Sequence, residues 1–135
     1  MSRIMALDIG KRRTGIAISD SLGIAITPLE TIHHRGFEQL VCAVLKLVEK
    51  YKVGKVVVGL PRRTDGKKGE MEQFVDRVVE ILREKKILVD TIDEWFSTKE
   101  ALKLLDRKQR RIKGTLDSKA AQIILSTYLL REKNG

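Results

Sequence analysis

Three acids in this sequence, Asp8, Glu94 and Asp117, stand at boundaries where a carboxylate can do chemistry. Asp8 sits at the end of an apolar run over residues 4–9. Glu94 closes another over residues 87–94, and Asp117 lies in the first turn of the last amphipathic stretch. In sheets with parallel strands, ligands collect at the carboxyl ends, so an acid placed there faces a site. If the final helix crosses those ends, the three carboxylates converge. At about 4 Å and an effective dielectric of about 20, one such pair repels by roughly 4 kcal/mol. A divalent cation removes that cost, and hard oxygen ligands around open positions suit Mg2+ or Mn2+. Such ions activate water and stabilise the leaving oxygen in phosphodiester cleavage. Each acid also fits an ordinary place: a strand end, a solvated loop, or the first turn of a helix. The joint pattern is what points to chemistry.

Basic residues surround these acids. Lys11, Arg12 and Arg13 form a turn between Gly10 and Gly15, directly after Asp8. "GLPRRTDGKKGE" (residues 59–70) offers Arg62, Arg63, Lys67 and Lys68 in a loop that Gly66 and Gly69 can tighten. "RKQRRIK" (107–113) adds Arg107, Lys108, Arg110, Arg111 and Lys113 just before Asp117. The formal net charge of +9 suits a polyanion, with nucleic acid first in line. These segments read as grips on a phosphate backbone, although an exposed turn before a helix gives the same local pattern. Gly10 and Gly15 have the spacing of a P-loop, but Ile16 and Ala17 occupy the positions that need Lys and Ser or Thr, so that reading fails. The hairpin also resembles the phosphate-binding hairpin of actin-like ATPases and sugar kinases, which close two domains on ATP where this chain reads as one.

The elements that must position these residues follow from periodicity. Residues 4–9 and 14–19 read as strands joined by a tight turn, hence antiparallel. Residues 24–32 supply a third strand, with Pro28 marking an edge. Phe37, Leu40, Val41, Val44, Leu45 and Val48 follow helical spacing and predict a helix over 36–50. "KVVVGLP" (55–61) reads as a strand buried on both faces, as in parallel sheets. Met71, Phe74, Val75, Val78 and Leu82 mark a second helix, followed by a strand over 87–94. Ser97 and Glu100 have capping-box spacing, predicting a helix from Thr98 to about Asp106. A last helix over 116–131 carries Ala120, Ala121, Ile124, Tyr128 and Leu129. Three closely linked strands followed by strand–helix alternation predict an α/β fold with a mixed sheet flanked by helices.

The 135 residues favour one domain, 1–135, large enough to bury roughly two-thirds of its unfolded surface. With 42% hydrophobic, 33% charged and only 4% aromatic residues, the chain reads as globular with an aliphatic core. Cys42 is the only cysteine, which excludes an intrachain disulfide and reads as a small apolar residue inside a helix. The cytoplasm is the expected compartment. No apolar run reaches the roughly 20 residues of a membrane span, so no membrane partner is expected.

Four segments together resemble the YqgF-type, RuvC-like bacterial family, described as Holliday-junction-resolvase-like proteins and pre-16S rRNA nucleases. They are "LDIGKRRTGIAISD" (7–20), "VVGLPRRTDGKKG" (57–69), "DEWFSTKEA" (93–101) and "DSKAAQIIL" (117–125), in the family's order and across nearly the whole chain. The resemblance implies an RNase H-like fold with strand order 3-2-1-4-5. It implies Asp8, Glu94 and Asp117 as catalytic metal ligands, and pre-rRNA or branched DNA as substrate. A monomer or a homodimer is compatible with it, and a nucleic-acid-binding protein without catalysis is the competing class. Trp95 stands where the family usually has Arg, and Ser97 where it has Thr. The first change bears on substrate choice, and the second is mild because either residue can cap a helix.

Overall fold

The computed structural model describes residues 3–60, 69–93 and 116–134. Its elements run β1 (Arg3–Ile9), β2 (Arg13–Ser19), β3 (Ile26–His33), α1 (Phe37–Tyr51), β4 (Val53–Leu60), α2 (Glu70–Glu84), β5 (Val89–Asp93) and α3 (Leu116–Asn134). The five strands form one sheet in the order β3-β2-β1-β4-β5. The tightly linked pairs β1–β2 and β2–β3 are antiparallel. The pairs reached through helical crossovers, β1–β4 and β4–β5, are parallel. The sheet is therefore mixed, as the connection lengths required. Val56, Val57 and Val58 of β4 have no exposed surface, which is what a strand covered on both faces needs.

Strand alternation divides the core in two. Met5, Leu7, Ile9, Ile16, Val56 and Val58 pack against Leu40, Val41 and Val44 of α1 and Val75, Val78, Val79 and Leu82 of α2. Ala6, Ala17, Val57 and Ile92 point the other way, against Ala121, Ile124, Leu125 and Tyr128 of α3. Small residues on that second face let one helix lie close to the sheet. Burying each large aliphatic side chain contributes about 1.5–3 kcal/mol, so the two layers together hold the strand ends in place.

Four expectations need correction. β4 begins at Val53, not residue 55, because Lys52 at φ 55° turns the chain out of α1 directly into the strand. β3 begins at Ile26, not residue 24, because residues 20–25 form a turn. There the Ile24 N–H donates to Asp20 Oδ1 at 2.8 Å, and Gly23 takes a φ of +70°. That hydrogen bond holds the Asp20 carboxyl below its usual range, and the acid just after β2 is a turn former. β5 begins at Val89, not residue 87, because the chain leaves α2 through Lys86 at φ 65°. Cys42 is exposed on α1, off the buried Leu40–Val41–Val44 stripe.

Candidate active site

β1, β4 and β5 are parallel neighbours, so their carboxyl ends share one edge of the molecule. Asp8 is the penultimate residue of β1, half-buried there. Its neighbours Leu7 and Ile9 are committed to the α1/α2 core, so alternation turns Asp8 to the face that α3 covers. Its cross-strand partner on β2 is Gly15, which brings no side chain to that face.

The turn after Asp8 is tight. The Gly10 N–H donates to the Arg13 carbonyl at 2.9 Å, and a Cβ at position 10 would sit 2.5 Å from that oxygen. Lys11, Arg12 and Arg13 are all exposed. The Lys11 ammonium already donates to Glu70 Oε2 at 2.7 Å, at the start of α2, and holds the Glu70 carboxyl below its usual range. Both side chains are well solvated, so the pair adds little stability. It does link the basic turn to the helix that follows residues 61–68.

A buried histidine that the sequence reading did not single out braces this turn from below. The His34 N–H donates to the Arg12 carbonyl at 2.9 Å. Its ring Nε2 shares a 2.9 Å hydrogen bond with Thr14 Oγ1, and the ring stacks on Phe74 of α2 at 6.1 Å. Only 4% of His34 is exposed, and Nδ1 has no hydrogen-bond partner. Burial, with His33 adding to it, lowers the His34 pKa and favours the neutral ring. The signal in the sequence was slight: two histidines at the end of a strand.

The direction of α3 follows from its far end. Tyr128 donates its hydroxyl proton to Asp90 Oδ2 at 2.6 Å and accepts from Lys55 Nζ at 2.9 Å. Lys55 and Asp90 stand near the starts of β4 and β5, so the first turn of α3 points toward the carboxyl ends. Asp117 lies in that turn. Its side chain, Glu94, Trp95, Ser97 and the predicted helix from Thr98 lie outside the described residues. So do Arg62, Arg63, Lys67, Lys68, Arg107, Lys108, Arg110, Arg111 and Lys113. Among the described residues no three acidic, histidine or cysteine side chains gather closely enough to hold an ion. A groove of about 690 Å³ beside α2 is lined by Asp76, Glu80 and Glu84 as well as Arg83, a charge balance that repels a phosphate backbone. No helix among the described residues is long and apolar enough to cross a membrane.

Residues 2–131 match the RuvX family model, described as Holliday junction resolvase. The chain belongs to the RuvX family. A relative from Chlorobium chlorochromatii (strain CaD3), named "Putative pre-16S rRNA nuclease", is 38% identical, covering 97% of this RuvX chain and 96% of its own. One with the same name from Sulfurihydrogenibium sp. (strain YO3AOP1) is 39% identical, covering 97% and 92%. Among solved structures, Thermus thermophilus RuvC superposes with a TM-score of 0.67 at 13% identity, covering 98% of this chain and 96% of that one. The large terminase nuclease of phage G20c gives 0.60 at 16% identity, covering 93% and 81%. At such identities the likeness is one of fold, and that fold is the RuvC-like, RNase H-like sheet expected from the sequence.

Proposed function

We propose that this RuvX-family chain is a divalent-metal-dependent nuclease that processes the 5′ end of pre-16S rRNA in the cytoplasm, as a single RNase H-like domain. The observation that carries this reading is the place of Asp8. It is a half-buried acid at the carboxyl end of the central strand, on the face covered by α3, opposite a glycine. The polarity of α3 supports Asp117 as its companion. Asp117 precedes Tyr128 by three turns, about 16 Å along the helix. Asp8 stands level with Gly59, four residues beyond Lys55, about 13 Å along the sheet. The two acids thus fall at similar heights above the Tyr128–Lys55 contact. Glu94 follows directly on Asp93, whose backbone pairs with Leu60 at the end of β4.

A site of three carboxylates fits a hard cation, and Asp8, Glu94 and Asp117 would hold Mg2+ or Mn2+. When bound, the cation supplies water activation and neutralises charge on the leaving oxygen. The rest falls to side chains. Arg12 and Arg13 hold the phosphates next to the scissile bond and orient it. Lys11, paired with Glu70, steadies the turn and contributes field more than direct contact. Arg62, Arg63, Lys67, Lys68 and the cations of residues 107–113 grip flanking phosphates.

The test is Asp8→Asn offered a precursor rRNA fragment and an immobile four-way DNA junction in parallel, with Mg2+ and then Mn2+. Wild type should trim the RNA. The variant should lose more than about 100-fold in cleavage, beyond what an outer contact to a metal ligand costs, while keeping its affinity. Wild-type binding with no metal-dependent cut would favour a non-catalytic binding protein. Paired nicks in the junction would favour a resolvase working as a dimer, since two strands must be cut.

A further inference from the structure

We infer that the substrate's sugar–phosphate backbone leaves the site along a track over the β2–β3 edge of the sheet, held by Arg13, His33 and Arg35. The inference rests on the nuclease reading for the identity of the substrate, and it is carried by register. Asp8 pairs with Gly15, so Arg13, two residues earlier on β2, shares the face of Asp8. Arg13 pairs with His33, which puts His33 on that same face one strand further out. β3 is the edge of the sheet, and no strand among the described residues covers it. Asp8, Arg13 and His33 therefore lie on a diagonal that starts at the candidate ligand and ends at an open edge. Arg35 comes next, and Arg13, His33 and Arg35 are all exposed.

The backbone beneath the track is fixed while its side chains face water. His34 is buried between exposed residues 33 and 35, stacked on Phe74 and hydrogen-bonded to Thr14 and to the Arg12 carbonyl. The Arg35 N–H donates to Gln39 Oε1 at 2.8 Å, which fixes the step into α1. Donors held on a rigid main chain lose less freedom on binding than donors on a loose loop. Guanidinium groups at 13 and 35 can fork onto phosphate oxygens, and the His33 ring offers an N–H between them. Glu38 lies in the first turn of α1, where the helix dipole favours it, and the strip stays net positive with Arg12 included. A basic hollow of about 360 Å³, lined by Arg3, Lys50 and Lys52, lies at the opposite end of β1. There the lysines sit at the C-terminus of α1 and offset its negative end, so that hollow has a structural account.

The experiment measures binding without cleavage. A fluorescein-labelled 5′-end pre-16S rRNA fragment is titrated in EDTA with wild type, His33→Glu, Arg35→Glu and Lys46→Glu, and read by anisotropy. Lys46 is exposed on α1, across the sheet, and its variant has the same net charge as Arg35→Glu. The track predicts that His33→Glu and Arg35→Glu each weaken binding by about tenfold, and Lys46→Glu by less than about threefold. Arg35→Gln, a milder change, should lower the slope of log affinity against log salt by about 0.7–0.9. Equal losses in Arg35→Glu and Lys46→Glu, which change the net charge by the same amount, would mean that only net charge matters, and would overturn the track. Wild-type affinity in His33→Glu and Arg35→Glu would overturn it too. Cleavage is scored separately with Mg2+. A protein that follows the track prediction but never cuts keeps the track and loses the nuclease reading.

Discussion

A Cβ at position 10 would lie 2.5 Å from the Arg13 carbonyl oxygen, closer than a Cβ approaches a main-chain oxygen across a non-bonded contact. Because the obstacle is backbone, it cannot swing aside. Gly10→Ala must open the turn that carries Lys11, Arg12 and Arg13, and break the 2.9 Å bond from the Gly10 N–H. We expect a loss of about 1–3 kcal/mol in urea unfolding, the usual range for forcing a methyl group into packed space. RNA affinity should fall with it, and unchanged stability and affinity together would show that the turn is looser than its geometry implies. At this scale the sequence was readable where chemistry is local. Asp8 at a strand end and the glycines around a basic turn were visible in the residue order. His34 was not, because its partners are Thr14, twenty residues back, and Phe74 on another helix. Cys42 does lie inside a helix, as expected, but on the exposed face of Glu38, Lys46 and Glu49, turned away from the Leu40–Val41–Val44 stripe, so its apolar character says nothing of burial.

At the scale of elements, α3 is fixed to the sheet by a polar clamp as well as by its apolar face. Asp90, Tyr128 and Lys55 form it, with the ammonium also 5.4 Å above the Tyr128 ring. The Tyr128 hydroxyl is the main cause holding the Asp90 carboxyl below its ordinary range and the Lys55 ammonium above its own. Burial, aided by Asp90, raises the Tyr128 phenol. The signs fix the pH window. A lowered Asp90 pKa adds stability above the unfolded value of about 3.9, and that stability is lost as pH falls through the folded value. Raised Lys55 and Tyr128 pKa values add stability below about 10, lost as pH rises through the folded values. Tyr128→Phe should therefore cost about 0.5–1.5 kcal/mol near neutral pH, the usual net worth of one hydrogen bond. The remaining Lys55–Asp90 pair, 3.6 Å apart and half-exposed, is too screened to compensate. The gap between wild type and variant in urea melts should narrow below about pH 4 and above about pH 10. A gap constant across that range would assign the clamp no electrostatic role. The sequence showed that α3 exists and which stripe it buries, but not the clamp, whose members are dispersed over 74 residues of chain. Strand existence was equally legible, and three strand starts slipped by two residues because Asp20, Lys52 and Lys86 set the turns before them.

For the molecule as a whole, the proposal separates two kinds of charge. Carboxylates at the strand ends would hold a cation, and guanidinium groups around them would hold the polymer. The net charge of +9 cannot tell these apart, since it attracts any polyanion from any direction. Metal and salt can, because they act on different groups. Chelation takes the cation from the acids and leaves Arg12, Arg13 and Arg35 unchanged. Added salt competes for phosphates at the arginines and leaves the acids alone. EDTA should thus abolish cleavage while changing RNA affinity by less than about threefold. With at least three phosphate contacts, log affinity should fall against log salt with a slope of about −2 or steeper, since each contact contributes about 0.7 on a single strand. Raising salt from about 50 to 200 mM should then weaken binding more than tenfold. Affinity that collapsed with EDTA would mean that the cation bridges protein and RNA in the ground state, and that the arginine turn is not the principal grip. A slope near zero would remove the basic surface from recognition altogether, leaving shape and base contacts to do what charge was assigned here.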